Sequence, residues 1–204
     1  MRPFFAPILG IAFFVVSTAA PGLTFRKSET VLPRSKTVRI QSPNGSWTLI
    51  ASLFSAVHAN TLTLEEHTTH RDKIVKLYDR SIGVGWSPDS QAFFLNDAYG
   101  SDREGAYIYR LGEDQPFPLD NLILKFDSDA RRISADHTYF RVRRWFNAST
   151  ILVEYCGHGS DPPAQQFDFL YRISLSGTDS RPTVVERLSH RVGSPDLFGE
   201  ECMP

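Results

Sequence analysis

Apolar residues in this chain gather in short runs bounded by clusters of Gly, Pro, Ser, Asn and Asp. That pattern predicts strands joined by turns rather than long helices. The runs place strands at Thr37–Gln41, Ser46–Phe54, Thr61–Glu65 and Ile74–Tyr78, then at Ile82–Trp86, Ala92–Leu95 and Ala106–Leu111. A further set follows at Thr138–Trp145, Thr150–Cys156, Phe167–Ser174 and Thr183–Leu188. Ala92, Phe93, Phe94 and Leu95 form an unbroken apolar run, which predicts a strand buried on both faces. One segment has a helical period instead. Leu122, Phe126, Ala130 and Ile133 recur at spacings of four, four and three, which predicts one short helix over Asn121–Ile133 with Asp120 as its cap.

The strands fall into related units. Trp86-Ser-Pro-Asp89 precedes the buried run, Ser42-Pro-Asn-Gly45 stands one unit earlier, and Trp145-Phe-Asn147 stands one unit later. Pro at the second turn position fixes φ for a type I turn, while Ser before it and Asp or Asn after it bond the local backbone. Equivalent positions in related units pack equivalently, so Trp47, Trp86 and Trp145, with Phe93, Phe94, Tyr107, Tyr109, Phe167 and Phe169, are expected in the core.

A Trp followed by Ser-Pro-Asp, an apolar strand, a polar loop and Tyr107-Ile-Tyr-Arg-Leu111 resembles the repeat of the TolB-type β-propellers and their WD-like relatives. The resemblance is best over residues 82–112 and partial elsewhere. It implies a mainly β fold, an incomplete or small β-propeller-like stack of antiparallel sheets with one short helix. It carries over no catalytic residue. A closed propeller needs about four to eight units of roughly 40 residues, so an open stack is at least as natural for a chain of 204 residues.

The N-terminus changes the compartment expected. Arg2, the apolar stretch Phe4–Val16 and the small residues Ser17 and Ala19 read as an export signal cleaved after Ala19. Residues 20–36 then read as an irregular leader and residues 37–204 as a single β-propeller-like domain, periplasmic or secreted, with no membrane insertion once the signal is gone. Charge is nearly balanced, 22 Lys plus Arg against 23 Asp plus Glu, which removes the electrostatic reason to expect nucleic acid or an anionic membrane as partner. Arg141, Arg143 and Arg144 are expected on a solvated strand face. In an oxidising compartment Cys156 and Cys202 are expected to form one disulfide, tying the tail to a strand.

Candidate chemistry is sparse. His67-Thr-Thr-His70 has a spacing that serves a metal on a helix, but its neighbours favour strand and turn, where residues three apart face opposite sides. A surface loop is expected there. Gly157-His-Gly-Ser-Asp161 holds a histidine, a hydroxyl and an acid, without the strand-turn-helix setting of a nucleophile elbow. The acidic loop Asn96–Gly105 lacks the spacing of a calcium loop. Neither a catalytic set nor a cofactor or metal is expected. Loops on a rigid β-scaffold collect binding residues, so the candidates are Asp97, Tyr99, Asp102, Arg103, His158 and Asp161, facing a protein partner. The expected function is a non-enzymatic exported binding scaffold, including an inhibitor or immunity protein of an envelope-targeting enzyme. A hydrolase using a loop histidine and a structural envelope component are the alternatives.

Overall fold

The computed structural model describes residues 29–32, 36–54, 59–133, 135–159, 166–176 and 181–193. The proposed signal segment, Asp161 and Cys202 lie outside them. After a short strand β1 (Thr30–Leu32), β2 (Val38–Gln41), β3 (Trp47–Phe54), β4 (Ala59–Glu66) and β5 (Arg71–Tyr78) form a four-stranded antiparallel sheet in chain order. The second unit is β6 (Ile82–Trp86), β7 (Ala92–Asp97) and β8 (Arg103–Arg110), with the short β9 (Phe117–Pro118) on β8. The third is β10 (His137–Asn147), β11 (Thr150–His158), β12 (Gln166–Ser174) and β13 (Thr183–Gly193). The second and third units join in one nine-stranded sheet, ordered β1-β6-β7-β8-β10-β11-β12-β13. The described residues are thus mainly β, in two sheets that close no barrel.

β1 corrects the expected irregular leader. It pairs antiparallel with β6, Leu32 lying opposite Ile82. Three residues carry no alternation to read, and the pairing partner supplies the order.

The middle unit is buried from both sides. Phe93 and Leu95 pack with Leu49, Ala51 and Leu62 of the first sheet, whereas Ala92 and Phe94 pack with Val142, Ile151 and Val153 of the third unit. All six residues of β7 are buried, as its apolar run predicts.

The repeat is visible atom by atom in the first two turns. Ser42 N–H donates to Trp47 O at 2.8 Å, and Ser87 N–H donates to Ala92 O at 2.8 Å. The Ser42 and Ser87 hydroxyls donate to Asn44 Oδ1 and Asp89 Oδ1 at 2.9 and 2.6 Å and accept from Trp47 N–H and Ala92 N–H at 3.1 and 2.9 Å. The fourth position is left-handed in both, Gly45 at φ +74° and Ser90 at φ +62°. Glycine enters that region freely and serine does not. Ser90 gains a bond there, because its Oγ accepts from Asn44 N–H at 3.0 Å and ties one turn to the other. In the third turn Asn147 Oδ1 accepts from Ser149 N–H at 2.9 Å and from the Ser149 hydroxyl at 3.2 Å, the first of these matching Ser46 N–H on Asn44 and Gln91 N–H on Asp89.

A second recurrence joins the units. Trp86 Nε1–H donates to Ile40 O at 3.2 Å, and Trp145 Nε1–H donates to Gly85 O at 3.0 Å. Ile40 and Gly85 each stand two residues before a turn serine, so each seam is the same bond from one unit to the unit before it. The tryptophans are therefore only partly buried, Trp86 and Trp145 at the margins of the cores. That refines the expectation of fully core tryptophans.

The helical segment is two helices, α1 (Leu119–Phe126) and α2 (Ser128–Arg132), broken at Asp127. Asp127, not Asp120, is the capping residue, accepting from Asp129 N–H and Ala130 N–H at 2.9 and 3.3 Å. The break resets the phase. Leu119, Ile123 and Ala130 face the core, and Phe126 is 52% exposed.

Arg141 and Arg143 are not on a freely solvated face. A register shift between Val142 and Arg144 makes Arg143 an extra residue in β10. Arg141 pairs with Glu104, and Arg143 Nη2 donates to Glu154 Oε1 at 2.6 Å. Burial raises both carboxyls above their ordinary range, and the arginines pull them partly back.

Candidate functional site

The β7–β8 loop and the ends of β10 and β11 meet at one end of the molecule. Thr138 N–H donates to Asp102 O at 2.8 Å, and β10 pairs with β8 through two parallel partners, Thr138 on Arg103 and Tyr139 on Glu104. Tyr99 is 52% exposed, and the side chains of Asp102 and Arg103 are 46% and 62% exposed. A Cβ at Gly105 would lie 3.2 Å from both the Tyr99 ring and the Tyr107 hydroxyl, so glycine lets the two rings close over β8. His158 lies opposite His137, whose ring it stacks on at 4.3 Å.

Four of the six candidates, Tyr99, Asp102, Arg103 and His158, thus gather near this end. Asp97 does not present itself to a partner. It is 3% exposed and ion-paired with Lys76 Nζ at 2.6 Å, joining the first unit to the second. The His67–His70 turn sits at the other end of the strands, with His67 Nε2 at 2.7 Å from Thr48 Oγ1 and His67 N–H donating to Ser46 O at 3.0 Å. His70 is exposed, with φ 52°. Among the described residues no three His, Cys, Asp or Glu side chains cluster as metal ligands. No described helix is long and apolar enough to cross a membrane.

A concave feature that the sequence does not announce lies between the first two units. A cleft of about 790 Å³ opens between β5 on one side and β8 with residues 111–116 on the other. Phe93 and Tyr109 stack in its floor at 4.9 Å and 3°, with Trp86 edge-on to Phe93 at 5.2 Å behind them. Burial pushes the Tyr109 phenol up to about 12, with lesser contributions from Tyr107 and Asp97. Tyr107 and Trp47 complete the aromatic lining, and Lys73 Nζ reaches Asp114 Oδ1 across the two walls at 3.1 Å. Arg71 and Asp72, at the start of β5 just after the His67–His70 turn, stand on the β5 wall. The alternation of Tyr107 and Tyr109 around Ile108 was the available signal, but alternation alone does not tell a core face from a cleft face.

β5 is the last strand of its sheet, and its open edge carries Arg71, Asp72, Lys73 and Lys76. A register shift between Leu62 and Thr63 of β4 leaves Val75 as an extra residue in β5. Charge and a bulge are the devices that keep an edge from recruiting another strand. The cleft therefore offers side-chain surface and rings rather than a free ladder.

No family model matches this chain, and no curated protein matches it. Among solved structures, TolB from Acinetobacter baumannii aligns with a TM-score of 0.35 and 12% identity, over 76% of this chain and 44% of that one.

Proposed function

We propose that the chain is a non-enzymatic protein-binding scaffold that takes an extended segment of its partner into the cleft between the first two units. The aromatic lining of that cleft carries the reading. Two of the three tryptophans spend their indole N–H on the unit seams, whereas Trp47 lines the cleft and its indole N–H meets no hydrogen-bond acceptor among the described residues. Aromatic rings with a spare donor suit a chain that brings its own backbone carbonyls and apolar side chains. The Tyr99 and Arg103 end is a further contact surface, since Tyr and Arg are the residue types that anchor interfaces.

The test is selection of peptides from a displayed random library on the full chain. Enriched peptides are expected to lose about thirtyfold in affinity, roughly 2 kcal/mol, on Tyr107→Ala or Trp47→Ala. Equal binding by both variants, with melting temperatures like the parent's, sinks the reading, as does a library that yields no enrichment.

The scaffold is proposed to act outside the cytoplasm, on the strength of the apolar stretch Phe4–Val16, the cleavage position at Ala19 and the two cysteines. Intact-mass analysis of exported protein, alkylated after unfolding without reductant, is expected to show a chain starting at Ala20 with neither Cys156 nor Cys202 modified. A mass that retains Met1 removes the export reading, and two alkyl groups remove the bridge.

A further inference from the structure

We propose that His137 and His158 form a binding site for a divalent transition-metal ion, with imidazole nitrogens as the protein donors. The two residues are direct partners in the β10–β11 register, and their rings lie 4.3 Å apart at 14°. Each ring is oriented through Nδ1. His158 Nδ1 lies 3.1 Å from Gly159 O, a carbonyl that only accepts, so Nδ1 carries the hydrogen and Nε2 the lone pair. His137 Nδ1 lies 3.4 Å from Tyr139 Oη, and that hydroxyl donates in turn to Ser101 O at 3.5 Å. In the tautomer with its hydrogen on Nδ1, His137 donates to the phenol oxygen and keeps Nε2 as a lone-pair donor. Both Nε2 atoms are then lone-pair donors, and neither has a hydrogen-bond partner among the described residues.

Fixing Nδ1 by a carbonyl or hydroxyl is the support that metal-binding imidazoles use to set their tautomer. Rotation of each ring out of the stack brings the two Nε2 lone pairs onto one ion, at about 2.0–2.1 Å for zinc. Imidazole suits zinc, nickel and copper, and copper(II) binds such donors most tightly of the three. Water completes the coordination. Strand register creates this site, so no local motif announces it.

Copper(II) and zinc(II), each added alone to the full chain, provide the test by calorimetry and by the histidine ring signals in NMR spectra. One equivalent is expected to bind, with copper(II) broadening the rings of His137 and His158 before those of His67, His70 and His190. His158→Ala and His137→Gln should each weaken binding at least tenfold, with the metal-free melting temperature close to the parent's, whereas His67→Ala should leave binding unchanged. The proposal is overturned if no ion binds, if His67 and His70 broaden first, or if His158→Ala binds like the parent.

Discussion

Replacing Asp127 with alanine is expected to destabilise the fold by about 3–5 kcal/mol, the range for removing one partner of a buried charged pair. The carboxylate is nearly buried, its side chain 7% exposed, and it holds three elements at once. It caps α2, accepts from the Tyr171 hydroxyl at 2.9 Å and pairs with Arg187 Nη1 at 2.8 Å. Alanine would leave the phenol buried without its acceptor, and Arg187 with Asp129 alone at 3.1 Å. Chemical denaturation at neutral pH measures the loss. A variant within about 0.5 kcal/mol of the parent would show that these bonds contribute nothing net.

The same group sets an acid limb. Burial on its own raises the Asp127 carboxyl, but the bonds from Tyr171, Ala130 and Asp129 and the charge of Arg187 outweigh it and hold the group below its ordinary range. Its folded pKa is thus below its unfolded one, and the unfolded chain binds more protons between the two values. The stabilisation is complete above the unfolded value, about pH 4, and is lost as pH falls through the depressed folded value. Glu104 and Glu154 run the other way, since their raised carboxyls favour the folded state at low pH and lose that contribution as pH rises through their folded values. Asp127→Asn should therefore flatten the fall in stability below about pH 4 while leaving the opposing slope above it.

Trp86→Ala is the second large effect, expected at about 3 kcal/mol, the low end for truncating a core aromatic because this ring is only partly buried. It removes the edge contact to Phe93 at 5.2 Å and the seam bond to Ile40 O. Trp86→Phe separates the two, since it keeps a ring and deletes the donor, at a cost of about 1 kcal/mol. If Trp86→Ala unfolds at the parent's denaturant midpoint, the first two units are not held together through this residue.

The strands were legible because alternation and turn chemistry are local. Ser42, Asn44, Ser87 and Asp89 act on backbone within five residues of themselves, and the chain around them reads the same in isolation. What escaped depends on distant partners. Asp127 looks like one more surface residue in a helical run until Tyr171 and Arg187 arrive from other strands. Arg143 falls out of alternation because a bulge is specified by the pairing strand as well as its own. Of the candidate residues, Asp102, Arg103 and His158 were recognisable as loop polars, but their neighbour His137 needed the β10–β11 register. Asp97 read as a loop acid and is the buried partner of Lys76.

The seam bond has an evolutionary consequence. Its donor is a side chain, but its acceptor is a main-chain carbonyl, and Ile40 and Gly85 serve equally although their side chains differ. Substitution cannot delete an acceptor that belongs to the polymer itself. A duplicated unit thus inherits half of its docking device free of selection on side chains, and needs to keep one tryptophan to retain the other half. Units descended from one ancestor can then drift until little of their sequence is shared, while each continues to sit on its neighbour in the same way.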